Sequence, residues 1–102
     1  MKKFIVAIDQ GTTSTRSILF DLKGNPLFIS QKEFKQFFPN NGWVEHDPEE
    51  IWSTTLRTLK KVILKAKQKK GKILTIGITN QRETTILWNK KTGKPIYKAI
   101  VW

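Results

Sequence analysis

The chain contains no cysteine, which removes disulfide staples and thiolate metal ligands and fits a reducing, cytoplasmic setting. Acid is also scarce: eight Asp and Glu stand against 19 Lys and Arg, for a formal net charge of +11 over 102 residues. So few carboxylates leave little material for the converging acidic clusters that two-metal nucleases need. Arginine is rarer still, present only as Arg16, Arg57 and Arg82. Bidentate reading of base edges falls mainly to arginine, so this lysine excess reads as a solvated face rather than a nucleic-acid surface. Long apolar runs are missing as well. The opening MKKFIVAID has a basic front, but its apolar stretch Phe4 to Ile8 meets Asp9 at once, too short for a signal core or a membrane span. The reading is a soluble, cytoplasmic single domain. The sequence stops within the apolar run IYKAIVW, where termini are ordinarily exposed and polar; the expectation is a truncated gene product or an excised piece of something longer.

What is present reads as an α/β chain. The continuous run Phe4 to Ile8 predicts a strand buried on both faces, and Ser17 to Asp21 a second. Gly24, Asn25 and Pro26 mark a turn. Leu27 to Phe34 alternates as a half-exposed strand near an edge, with Leu27, Ile29 and Gln31 on one side. Short turns between these three imply an antiparallel meander. FFPNNGWVEHDP reads as a loop. A helix follows, with Asp47 as N-cap, Pro48 at its first position and Glu50 at capping-box spacing. Its apolar stripe is Ile51, Trp52, Leu56, Leu59, Val62, Ile63 and Ala66; acids lead, lysines close it as the macrodipole favours, and Gly71 is expected to stop it. Lys72 to Thr79 predicts another buried strand, parallel to the first by crossover. TTILWN and KPIYKAIVW flank a hairpin signal around Gly93.

The densest chemistry lies in AIDQGTTSTRSILFD. Asp9 closes a buried strand, and Gly11 permits a tight turn with bared backbone N–H groups. Thr12, Thr13, Ser14 and Thr15 offer hydroxyl and amide donors, and Arg16 a rigid cationic fork. Donors around an anion, with a carboxylate for a metal, describe a phosphate–Mg²⁺ site. The spacing is neither a Walker A loop nor a dinucleotide fingerprint, and a strand rather than a helix follows. A plain hairpin with Ser/Thr turns fits the same residues, and the turn by itself does not decide between the two.

A strand, DQGTTSTR and a second strand together resemble the first phosphate motif of the sugar-kinase, hsp70 and actin superfamily. With GWVEHDPEEIW and IGITNQRETTILWNKKTGKPIYKAIVW, the chain from about Ile5 to Trp102 resembles the FGGY family of carbohydrate kinases, in its glycerol-phosphorylating branch. The resemblance implies a ribonuclease H-like fold: a mixed sheet with an antiparallel meander, one long helix, a strand parallel to the first and a hairpin. Residues 1–102 would form an incomplete amino-terminal domain, lacking the carboxy-terminal ATPase domain. The implied activity is ATP-dependent phosphorylation of glycerol to glycerol 3-phosphate, with Mg²⁺. Thr12, Thr13 and Ser14 would contact the nucleotide phosphates, Arg16 would lie near the transferring phosphate, and Asp9 would help place Mg²⁺ through water. No catalytic residue is expected within the chain, since the family's base lies further on. The 102 residues alone are expected to be inactive, because phosphoryl transfer needs positioning and charge stabilisation from several parts together. Self-association of a longer parent is left open.

GITNQRETT follows the strand expected to lie parallel to the first, so its end should face the same cleft. On a regular strand Arg82 and Glu83 would point to opposite faces; in a loop both can turn to one ligand. A polyol needs a donor and an acceptor, which this pair supplies, although a solvated ion pair fits the spacing equally. The resemblance assigns Arg82 and Glu83 to glycerol, and Trp102 to packing on its carbons. His46 has no partner at catalytic spacing and reads as structural. Two alternatives remain. One is another FGGY sugar or polyol kinase, which the NQRE stretch would discriminate. The other is a basic ribonuclease H-like nucleic-acid-binding domain, against which Asn80 and Gln81 stand where a nuclease would place an acid.

Overall fold

A computed structural model describes residues 1–101. In chain order the elements are β1 (Lys2–Gln10), β2 (Ser14–Asp21), β3 (Pro26–Glu33), β4 (Val44–His46), α1 (Pro48–Gln68), β5 (Gly71–Thr79), β6 (Thr84–Thr85) and β7 (Ala99–Val101). The main sheet has the order β3-β2-β1-β5. β1 pairs antiparallel with β2 and parallel with β5, and β2 pairs antiparallel with β3. The meander, the crossover and the edge position of β3 therefore agree with the sequence reading.

Period-two alternation decides what the helix covers. Phe4, Val6 and Ile8 of β1 and Leu19 of β2 are buried beneath α1, where Phe4, Val6, Leu19, Val62 and Ala66 form the core, flanked by Phe28, Leu59 and Ile73. Two hydroxyl pairs extend the seam: Thr15 with Thr54 and Ser17 with Thr58, each at 2.8 Å. The buried edge of α1 is thus Thr54, Thr58, Val62 and Ala66, at four-residue spacing. This corrects the apolar stripe expected: Val62 and Ala66 belong to it, whereas Trp52 is 58% exposed. The reason is β2, which presents Thr15 and Ser17 to the first half of the helix and so selects hydroxyl partners there.

Burial on both faces is not observed for either apolar strand. In β1 the residues Ile5 and Ala7, on the face away from α1, are only half-buried. β5 is an edge strand with Leu74, Ile76 and Ile78 exposed, because α1 lies over β2 and β3 more than over β5. A register shift beside Phe4 and Ile5 also leaves Leu74 outside the ladder.

Asp47 caps α1 as expected, accepting from the Glu49 amide at 3.0 Å. The capping box does not close, since the Glu50 carboxylate instead accepts the Lys35 amide. Gly71 does not end the helix. Lys69 is the C-cap, Lys70 takes the left-handed position with φ 56°, and Gly71 already belongs to β5. The glycine has a different use: a Cβ there would stand 2.0 Å from Cε2 of Phe4. The loop reading of residues 37–48 also changes, because Val44–His46 forms β4 in a second sheet of order β4-β7-β6. The hairpin around Gly93 is present, with φ 74° at the glycine and Trp88 bridged to Pro95. Among the described residues no helix is long and apolar enough to cross a membrane.

The contact at Phe4 generates a test. Gly71→Ala is expected to lower stability by about 1–3 kcal/mol through overpacking, read as an earlier urea-unfolding midpoint, and Phe4→Leu in the same chain should recover part of it. An unchanged midpoint for Gly71→Ala would contradict the packing described.

Candidate functional site

β1 and β5 run in the same direction side by side, with Asp9 opposite Thr79. The chain therefore leaves both strands on the same rim of the sheet, the position where open α/β sheets gather ligands. A groove of about 530 Å³ lies between the two exits. Asp9, Gly11 and Thr12 line it from the first turn, and Asn80, Arg82 and Glu83 from the second.

The first turn is tight. The Gly11 amide donates to the Ser14 carbonyl at 3.0 Å, and a Cβ on Gly11 would come within 3.1 Å of that oxygen. β2 begins at Ser14, earlier than the Ser17 expected, so Ser14, Thr15 and Arg16 alternate as strand residues. Thr15, counted among the turn's hydroxyls, turns toward α1, is fully buried, and bonds Thr54 and the Gln10 Oε1, so its hydroxyl faces the helix rather than the groove. Arg16 faces the other way and donates through Nη2 to Asp9 Oδ2 at 2.6 Å. This cross-strand pair is more than a third exposed on both sides and contributes on the order of 0–1 kcal/mol. The Ser14 hydroxyl accepts from Gln31 at 2.8 Å. Thr12 and Thr13 occupy the exposed tip, tied from behind: the Thr12 carbonyl accepts from Gln36 Nε2 at 3.0 Å and the Thr13 carbonyl from the Phe34 amide at 3.2 Å.

The second turn explains how adjacent residues reach one groove. Glu83 has φ 54°, a left-handed conformation that costs a residue with a Cβ on the order of 1–3 kcal/mol. That reversal ends the strand alternation, and Arg82 and Glu83 both line the groove. The Arg82 carbonyl is held by the Thr84 hydroxyl at 3.2 Å, and Thr84 Oγ1 accepts from Gln81 Nε2 at 2.9 Å.

Asp9, Thr12, Arg82 and Glu83 are thus brought together, whereas Thr13, Ser14 and Arg16 sit beside the groove on the turn and β2. Trp102 lies outside the described residues. The sequence reading missed three glutamines. Gln10 and Gln81 stand inside the motifs that drew attention, yet Gln10 Nε2 and Gln81 Oε1 are buried with no partner among the described residues. Gln36 carries no sequence signal, because its role comes from the fold. Among the described residues no three His, Cys, Asp or Glu side chains gather as a metal cage. His46, read as structural, is fully buried with its ring edge-on to Phe34 at 4.8 Å. Both ring nitrogens are engaged, Nε2 with Gln36 Oε1 at 2.6 Å and Nδ1 with Gln81 Nε2 at 2.7 Å. Burial lowers its pKa, against the opposing effect of the Glu50 charge.

A tight strand–turn–strand facing the end of a parallel neighbour, over a mixed sheet with one crossover helix, is the arrangement of a ribonuclease H-like fold. The chain belongs to the FGGY family of carbohydrate kinases, matching its N-terminal domain over residues 4–102. Within the family it is 60% identical over 102 residues to the glycerol kinase of Clostridium perfringens and 58% identical over the same length to that of Dichelobacter nodosus. All of this chain is covered in both cases, but it spans 20% of each of those proteins. Among solved structures, Plasmodium falciparum glycerol kinase with ADP superposes with a TM-score of 0.87 at 38% identity, over 99% of this chain and 20% of that one. Gluconate kinase from Lactobacillus acidophilus gives 0.82 at 26% identity, over 100% of this chain and 20% of that one.

Burial of His46 predicts a pH dependence. Unfolding returns the imidazole to its ordinary value of 6.5, whereas in the fold it lies lower. Below 6.5 the unfolded chain takes up a proton that the fold resists, so stability present at neutral pH is lost as pH falls through the window between the two values. His46 is the sole histidine of the sequence, which makes the assignment direct. Urea unfolding at about pH 7.5 and about pH 5.5 should show a loss on acidification that is smaller in His46→Gln; equal losses in both proteins would remove His46 as the cause.

Proposed function

We propose that this chain supplies the phosphate turn and the polyol-facing turn of an ATP-dependent glycerol kinase. The observation that carries the reading is the shared groove, with Thr12 and Asp9 on one wall and Arg82 and Glu83 on the other. ATP lays its phosphates against the amides and hydroxyls of Thr12 and Thr13, with Ser14 beside them. Arg16, steadied by Asp9, adds positive charge near the phosphoryl group in transit. Glycerol lies across the groove, where Arg82 donates to one hydroxyl oxygen and Glu83 accepts a hydroxyl hydrogen. Trp102 is assigned to the carbon side of the polyol. The glycerol hydroxyl oxygen forms the new P–O bond, the bond to ADP breaks, and the hydroxyl proton passes to a base contributed from outside these residues. Because phosphoryl transfer rests on positioning and charge, these residues orient both substrates.

Mg²⁺ is the implied metal, and the residues fit it in one way. Asp9 is the one carboxylate on the phosphate-turn wall of the groove, without a cage around it among the described residues, which suits an ion that keeps several waters and takes most other ligands from phosphates. Asp9 would hold it, with Oδ2 on Arg16. When bound, the ion neutralises charge on the phosphates. The cysteine-free composition supports a cytoplasmic setting.

The test is ADP release by the full-length kinase with glycerol, xylulose or gluconate as acceptor. Glycerol is expected to be preferred, and a preference for another acceptor would overturn the assignment. Loss of one charged acceptor costs about 1.5–3 kcal/mol, so Glu83→Ala should raise the glycerol KM about ten- to a hundredfold and the ATP KM much less. Equal effects on both would make Glu83 structural only. Asp9→Asn should depress kcat more than it changes the glycerol KM; unchanged turnover at saturating Mg²⁺ would take Asp9 out of the mechanism.

A further inference from the structure

Hydrogen bonds that are part-buried around His46 and exposed at both ends join the two turns from behind the groove, and the donors along them can be assigned. Gln36 Nε2 faces two backbone carbonyls, Thr12 at 3.0 Å and Phe34 at 3.4 Å, so this atom is the amide nitrogen and Gln36 Oε1 is the acceptor facing His46. The His46 Nε2, at 2.6 Å from that oxygen, must therefore carry a hydrogen. At the other end Thr84 donates to the Arg82 carbonyl and needs a donor from Gln81, which makes the Gln81 atom at 2.9 Å its nitrogen. The same nitrogen lies 2.7 Å from His46 Nδ1, which therefore accepts. One neutral tautomer, protonated at Nε2, satisfies every contact. The chain of bonds starts on the carbonyl of Thr12 and ends on the carbonyl of Arg82.

We propose that His46 is a positioning residue that fixes the phosphate turn and the polyol turn relative to each other through Gln36 on one side and Gln81 on the other. The proposal rests on the glycerol kinase reading for the identity of the two ligands, but the relay itself rests on geometry alone. No β-ladder bond spans the two turns where they open on the groove, since β1 and β5 have by then separated: their last paired residues are Asp9 and Thr79. The relay supplies the missing connection. His46 can serve because β4 carries it into the interior, where it is fully buried and braced edge-on by Phe34. The bonds at His46 are part-buried, and every donor and acceptor along the relay except Gln81 Oε1 has a partner among the described residues, the condition under which such networks hold geometry. His46 touches neither ligand in this reading and so acts through the turns.

The two ring nitrogens can be tested separately. Glutamine at position 46 reaches where Nε2 stands and can keep the Gln36 bond while losing Gln81. Asparagine reaches where Nδ1 stands and can keep Gln81 while losing Gln36. In the full-length kinase, His46→Gln is expected to raise the glycerol KM about three- to tenfold and the ATP KM less, and His46→Asn to reverse that order. Both KM values moving together in both variants, or a change in thermal stability alone, would overturn the proposal. The tautomer is read without activity, by nitrogen NMR of histidine-labelled protein with His46→Gln identifying the resonance. A neutral ring protonated at Nε2 near neutral pH is expected; a ring protonated at Nδ1, or charged, would overturn the relay. Wild-type protein that shows this tautomer but no glycerol-dependent ADP release would sink the glycerol reading and leave the relay standing.

Discussion

The parallel pairing of β1 with β5 is the constraint on which the rest depends. Antiparallel neighbours would send their following turns to opposite ends of the sheet. Parallel ones send both to the same rim, and here the pairing ends with Asp9 opposite Thr79. A turn rich in hydroxyls and a turn carrying Arg82 and Glu83 then face each other across one groove. Parallel pairing in turn requires a crossover, which α1 provides. Its position over the sheet is set by an apolar end, Val62 and Ala66 on Phe4 and Val6, and by a hydroxyl end, Thr54 and Thr58 on Thr15 and Ser17.

Packing is one-sided as a consequence. The helix closes one face of the main sheet, whereas Ile5, Ala7, Ile18 and Phe20 on the other remain half-buried, and the β5 edge carries exposed Ile76 and Ile78. The chain spans about a fifth of the curated relatives it matches. In a full-length kinase of this family, further chain is expected against those surfaces.

At the groove the fold places strain and polar order together. Glu83 occupies a left-handed conformation, which local preference opposes, and the surrounding bonds hold it there. Thr84 grips the Arg82 carbonyl, Gln81 grips Thr84, and His46 grips Gln81. In the proposed reading, a strained Glu83 held by these bonds is pre-organised, so less ordering remains to be done when a ligand arrives.

The sequence by itself determined the order of elements, the meander, the crossover, the Gly93 hairpin, the Asp47 cap and the two motifs at the groove. Those features follow from local rules: side-chain periodicity, capping chemistry and turn residues act within a few positions of one another. The tertiary structure alone decided the rest. Thr15 was turned inward and Ser14 and Arg16 placed on a strand because β2 pairs with β3 as far as Ser14. Gly71 was needed for the ring of Phe4, and Glu50 for the amide of Lys35, neither of which is near in sequence. β4 was hidden because three residues are too few to show a period, and its partner β7 lies at the far end of the chain. The relay through Gln36, His46 and Gln81 was likewise unreadable, since each bond joins segments that only folding brings within hydrogen-bond reach.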